Sequence, residues 1–199
     1  MSGGVRGAQE RGQHPGTRRP PTPSVSPPVS GLEGLRVAVL TVSDRVAGGS
    51  REDAGGDALE ELLARAGAEV VAREVVPDER PAISTALRAM AGRAEVVLTT
   101  GGTGLGPRDV TPEATREVLD REAPGIAEAL RHASLAITPF AMLSRATAGL
   151  VGSTLLVNLP GNPKAVREEW AVLAPVLGHA VATARGPVPD SSHTPGGRA

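Results

Sequence analysis

The chain has 199 residues and a formal net charge of −1, enough length for one ordinary domain with flexible ends. That balance gives no electrostatic case for nucleic acid or an anionic membrane, and one Trp, one Phe and no Tyr leave no stacking platform for single strands. Without cysteine there is no disulfide framework, thiolate nucleophile or Cys-based zinc site, and His14, His132, His179 and His193 show no ligand spacing.

Residues 1–33 are rich in Pro, Gly, Ser and Arg and carry almost no large apolar side chain before Leu32, so they are expected to form a disordered tail. They lack the apolar core of a signal peptide, and no later run approaches a membrane span. A cytoplasmic, soluble protein is the expectation. Leu35-Arg36-Val37-Ala38-Val39-Leu40-Thr41-Val42 predicts a strand, its continuous apolar centre suited to a sheet covered on both faces. It ends at Ser43-Asp44-Arg45, before a flexible loop over 47–53. Apolar residues at 58, 59, 62, 63 and 66 have a helical period, closed by Gly67. Residues 69–76 predict a second strand, stopping at Pro77-Asp78, and a helix follows over 80–91 with Ile83, Leu87 and Met90 on one face.

The third strand, 95–100, runs into Gly101-Gly102-Thr103-Gly104-Leu105-Gly106-Pro107-Arg108-Asp109 and then a helix over 112–120, with Thr111 as its cap and Pro112 at its first position. A strand entering a Gly-rich turn and a helix gathers backbone N–H groups where a phosphate can sit. The spacing is neither the common phosphate loop, which continues into Lys-Ser/Thr, nor the dinucleotide fingerprint. Pro124 opens a further helix to about Leu135, residues 138–145 are less regular, and 146–151 with 154–158 predict a hairpin about Gly152-Ser153. Asn162 caps a last helix over 164–184 that buries Val166, Trp170, Leu173 and Leu177; Gly186 onward reads as a flexible C-terminal tail. Alternating strands and helices predict one α/β domain over 34–185, a three-layer α/β/α fold with a mostly parallel sheet. Ligand sites in such sheets lie beyond the carboxyl ends of the strands, where Ser43-Asp44, Asp78, Thr100–Asp109 and Leu159–Pro163 fall.

These stretches resemble the molybdenum-cofactor biosynthesis domain of the Mog/MoaB type over about 36–182. The resemblance rests on Thr41-Val42-Ser43-Asp44-Arg45, Asp53-Ala54-Gly55-Gly56, Val76-Pro77-Asp78-Glu79, Thr99-Thr100-Gly101-Gly102-Thr103-Gly104, Arg108-Asp109-Val110-Thr111-Pro112, Thr138-Pro139-Phe140-Ala141-Met142-Leu143-Ser144-Arg145 and Leu159-Pro160-Gly161-Asn162-Pro163. Many members carry Ser where this chain has Gly55. The resemblance implies a molybdopterin adenylyltransferase using ATP and Mg²⁺, with catalytic and metal-binding acids at Asp78 and Asp109. It places substrate and nucleotide near Ser43, Asp44, Asp53, Thr100, Gly101, Gly102, Thr103, Gly104, Ser144, Arg145, Pro160, Gly161, Asn162 and Pro163. It further implies a homotrimer and a downstream molybdate-insertion protein as partner. On the residues alone, Asp78 also suits a helix cap, Asp109 a dipole-neutralising acid, and Ser144 and Arg145 a surface pair. A non-catalytic molybdopterin-binding or scaffold protein of the same fold is the alternative function.

Overall fold

The computed structural model describes Met1 and residues 31–186. The expected tails lie outside those residues, except at the boundary. Leu32, placed in the tail by composition, is 3% exposed and joins the core, its carbonyl accepting from the Leu35 amide.

Six strands form one sheet in the order β2-β1-β3-β6-β5-β4. β1 (Arg36–Val42), β2 (Glu69–Val76), β3 (Val96–Thr100) and β6 (Thr154–Leu159) are mutually parallel; β5 (Ala148–Val151) returns antiparallel on β6, and the two-residue β4 (Arg121–Glu122) pairs with β5. β4 was not legible in the sequence, being too short to carry a period. The buried, β-branched centres of β1, β3 and β6 reflect cover on both faces. On one face Val37, Val39, Leu98 and Val157 pack against α2 (Ala54–Arg65), α5 (Pro124–Leu135) and α6 (Pro163–Arg185). On the other Ala38, Leu40, Val97 and Leu156 meet α3 (Arg80–Ala91) and α4 (Thr111–Arg116). The architecture is three-layered, as expected.

Three local expectations are corrected. The segment after β1 is not wholly loop: Ser43 caps a one-turn helix, α1 (Asp44–Ala47), by accepting from the Val46 amide. α4 ends at Arg116 and not at 120, and Thr111 is not its cap. Thr111 lies inside the helix, fully buried, and its hydroxyl donates to the Gly101 carbonyl at 2.9 Å. The Thr-Pro pair reads locally as cap and first position, but the glycine turn needed a donor more than the helix needed a cap. Leu130 and Trp170 are buried within the chain, while Leu135, Ile137, Phe140, Met142 and Leu143 are exposed apolar side chains in and around a 3-10 turn over Pro139–Leu143, in addition to Val75, Leu105 and Val176 elsewhere.

Candidate active site

Going from β1 the chain first adds β2 on one side and then crosses to β3 on the other. Crossovers that part in opposite directions leave a crevice at the carboxyl ends of β1 and β3, the switch point where open α/β sheets bind ligands. A cleft of about 500 Å³ lies there, walled by the ends of β1 and β3, the 43–54 segment, Asp78, Asp109 and the Gly161-Asn162-Pro163 turn. Of the residues expected at the site, Ser43, Asp44, Asp53, Asp78, Thr100, Gly101, Gly102, Asp109, Gly161, Asn162 and Pro163 line it; Thr103, Gly104, Ser144, Arg145 and Pro160 do not.

Asp78 is not a helix cap. Glu79 occupies that position and makes no side-chain cap bond. The Asp78 carboxylate is instead fixed from across the sheet: Oδ2 accepts from the Asp44 amide at 2.8 Å, while the Asp78 amide donates to Asp44 Oδ1 at 3.0 Å. Arg108 closes the arrangement with a two-pronged pair to Asp44, Nε to Oδ2 at 3.0 Å and Nη2 to Oδ1 at 2.8 Å. That guanidinium holds the Asp44 carboxyl below its usual range. Asp78 is shifted the other way, upward, chiefly by burial and then by the Asp44 and Asp109 charges.

The glycines serve these acids directly. Gly102 has φ +62°, and a Cβ there would collide with Thr111 Oγ1 and stand 3.0 Å from Asp78 Oδ1. A Cβ at Gly106 would come within 2.7 Å of Asp109 Oδ2, which accepts from the Gly106 amide at 2.8 Å. The turn therefore wraps the two carboxylates as closely as a chain without side chains permits. Asp78 Oδ1 and Asp109 Oδ1 are left without protein donors among the described residues.

Asp53 is occupied structurally. It caps α2 through the Gly56 amide and also accepts from the Thr41 hydroxyl and from Arg73, itself shared with Asp57 and Glu60. Arg73 is held above its ordinary value by those three carboxylates, against the opposing cost of its burial. Asn162 caps α6 at 2.9 Å, as expected. At Gly55 a Cβ would meet Thr100 Oγ1 at 2.7 Å, and that hydroxyl donates to the Pro160 carbonyl at 2.8 Å. Thr100 thus fills the room a serine side chain would need. Arg145, expected as a ligand contact, turns away from the cleft onto Gly104, Asp109 and Glu113.

Two cationic cleft residues were missed. Arg45 and Arg51 line it without a carboxylate partner among the described residues, whereas Arg108, Arg73, Arg167 and Lys164 are committed to Asp44, Asp53, Glu61 and Glu168. Of their acidic neighbours in sequence, Asp44 is taken by Arg108 and Asp53 by Arg73.

A family model described as "Probable molybdopterin binding domain" matches residues 38–179. The chain belongs to this molybdenum-cofactor biosynthesis family. It is similar to a molybdopterin adenylyltransferase of Helicobacter pylori, 38% identical over 154 residues that cover 75% of this chain and 88% of that protein. It is also 42% identical over 153 residues to the molybdenum cofactor synthesis protein cinnamon of Drosophila melanogaster; there the match covers 75% of this chain but only 26% of the relative. Among solved structures it is similar to the molybdopterin biosynthesis enzyme MoaB of Thermus thermophilus, with TM-score 0.71 and 52% identity, covering 75% of this chain and 96% of that one. The match spans the cleft and the carboxyl ends of the four strands that build it, so family membership and site geometry concern the same residues. Among the described residues no helix is long and apolar enough to cross a membrane.

Proposed function

We propose that the chain transfers the adenylyl group of ATP to the terminal phosphate of molybdopterin, giving adenylyl-molybdopterin and pyrophosphate. The observation that carries this reading is the acid pair Asp78 and Asp109, clasped by glycines at the switch-point cleft and each presenting one free carboxylate oxygen. In the reaction a molybdopterin phosphate oxygen bonds to the α-phosphorus while the bond to the departing pyrophosphate breaks. The nucleophile belongs to the substrate, so the protein needs positioning and charge compensation and no Ser, Cys or His nucleophile.

The donor set fits Mg²⁺, which prefers oxygen ligands and is commonly held by one or two carboxylates plus substrate phosphates and water. Among the described residues no group of three or more His, Cys, Asp or Glu is placed to hold a metal ion by itself. Asp78 Oδ1 and Asp109 Oδ1 would hold it. Bound there, the ion would supply neutralisation of charge on the transferring phosphates. Around it, the Gly102 amide makes no backbone bond, and Arg45 and Arg51 line the cleft as cations without a carboxylate partner among the described residues, available to the polyphosphate. The upward shift of Asp78, caused first by burial and then by neighbouring acids, is relieved when a cation arrives.

The working form we propose is a homotrimer in the cytoplasm that hands its product to a molybdate-insertion protein. The test of the reaction is turnover: purified protein with molybdopterin, ATP and Mg²⁺, with pyrophosphate and adenylylated product measured together. Stoichiometric release of both supports the transferase. Molybdopterin binding without pyrophosphate release would make the chain a carrier or scaffold.

A further inference from the structure

Arg145 stands outside the cleft, yet it has more partners in the glycine turn than any other side chain. Nε donates to the Gly104 carbonyl at 2.7 Å, Nη2 to the Asp109 carbonyl, and Nη1 pairs with Glu113 Oε1. The Arg145 amide donates to the Thr103 carbonyl at 2.9 Å. These bonds bracket residues 103–109 at both ends and tie them to the first turn of α4. Arg145 is steadied from behind: Arg131 on α5 donates to the Ser144 carbonyl at 2.9 Å and to the Ala146 carbonyl at 3.1 Å, one on each side of it. Glu113 Oε2 is buried with no donor among the described residues, and Oε1 pairs with Arg145.

The Asp109 carboxylate is anchored to the Gly106 amide within that same turn, so its position follows the backbone that Arg145 holds. Three acceptors in different directions suit a planar guanidinium; the single nitrogen of a lysine cannot reach them together. We propose that Arg145 is a positioning residue that sets the 103–109 backbone so that the Asp109 carboxylate faces the cleft beside Asp78, with Glu113 fixing the rotation of Arg145. The inference rests on the reading of Asp78 and Asp109 as the divalent-cation pair, and the test keeps the two apart.

The probe is Mn²⁺, titrated by electron paramagnetic resonance into the full-length chain with a non-hydrolysable ATP analogue. Wild type, Asp109→Asn, Arg145→Lys and Glu113→Gln are compared, and melting temperatures are recorded. Partners that orient a metal ligand are typically worth 10–100-fold in affinity or activity. Arg145→Lys is therefore expected to weaken Mn²⁺ by about tenfold or more and to lower kcat similarly, with KM for molybdopterin changed by less than about threefold. Glu113→Gln is expected to move both in the same direction by less, and it carries the test if Arg145→Lys melts many degrees lower. Wild-type Mn²⁺ affinity in both Arg145→Lys and Glu113→Gln, beside a loss in Asp109→Asn, would overturn the positioning role. A rise in molybdopterin KM alone would instead make Arg145 a substrate contact and equally overturn it. If Asp109→Asn itself leaves Mn²⁺ binding intact, the metal pair falls, and the role given to Arg145 falls with it.

Discussion

Replacing Gly102 by alanine tests how tightly the turn is built around the acids. The backbone there has φ +62°, a left-handed conformation that costs an L-residue roughly 1–2 kcal/mol. The new Cβ would also collide with Thr111 Oγ1, whose bond to the Gly101 carbonyl is buried; losing it with the acceptor left unsatisfied costs about 1–3 kcal/mol. Together these predict about 2–5 kcal/mol of destabilisation, or a melting temperature lower by roughly 4–20 °C at 2–4 °C per kcal/mol for a chain of this size. Gly152→Ala is the control, since Gly152 has φ +56° with nothing within 4 Å of an added Cβ. It should lose only the conformational part, no more than about 2 kcal/mol. Calorimetry on both variants isolates the contact contribution. Because the Cβ also stands 3.0 Å from Asp78 Oδ1, Gly102→Ala should lower turnover, by up to about the hundredfold that misplacing a reacting group by about 1 Å can cost. Equal stability loss in the two variants, or full turnover in Gly102→Ala, would refute the claim that glycine is there to let the acid approach.

Glu169 on α6 is buried, accepts from the Ser134 hydroxyl at 3.1 Å through one oxygen, and has no donor for the other; burial pushes its carboxyl up to about 7 from 4.5. The native state then holds a proton that the unfolded chain has lost, so stability falls as pH rises from about 4.5 to 7, by up to about 3 kcal/mol. Glu169→Gln should flatten that slope in urea melts at pH 5 and pH 8; an unchanged slope would show that another group is responsible. Light scattering should report a trimer at tens of micromolar, an order-of-magnitude working range, and Phe140→Ser should weaken it, because Ile137, Phe140 and Met142 are large apolar side chains exposed close together in sequence; a monomer throughout would contradict the assembly.

The strands and long helices were legible because burial on two faces or one writes itself as continuous or periodic apolar residues, and Gly67, Pro124 and Asn162 mark ends that local chemistry decides. The switch-point cleft followed from strand ends alone. What stayed hidden depended on contacts between residues distant in sequence. Arg145 reaches Gly104 and Asp109 across 41 and 36 residues, and no spacing rule distinguishes such a support from a ligand contact. Thr111 was misread because its local pattern is a good helix start, while the Gly101 carbonyl it serves lies ten residues back. Arg45 and Arg51 emerge only after the ion pairs of their neighbours are known.

The central claim is that Asp78 and Asp109 support direct transfer between two phosphates, acting by charge and never by a covalent bond. Asparagine at either position keeps the shape of the side chain and removes the charge that would hold Mg²⁺. Pyrophosphate release by Asp78→Asn and Asp109→Asn, measured beside their molybdopterin affinity, is the direct test. The account predicts each rate lower by roughly a hundredfold or more, the worth of one group that stabilises developing charge, with binding retained. Full activity in both variants, or a nucleotide trapped covalently on the protein, would contradict it.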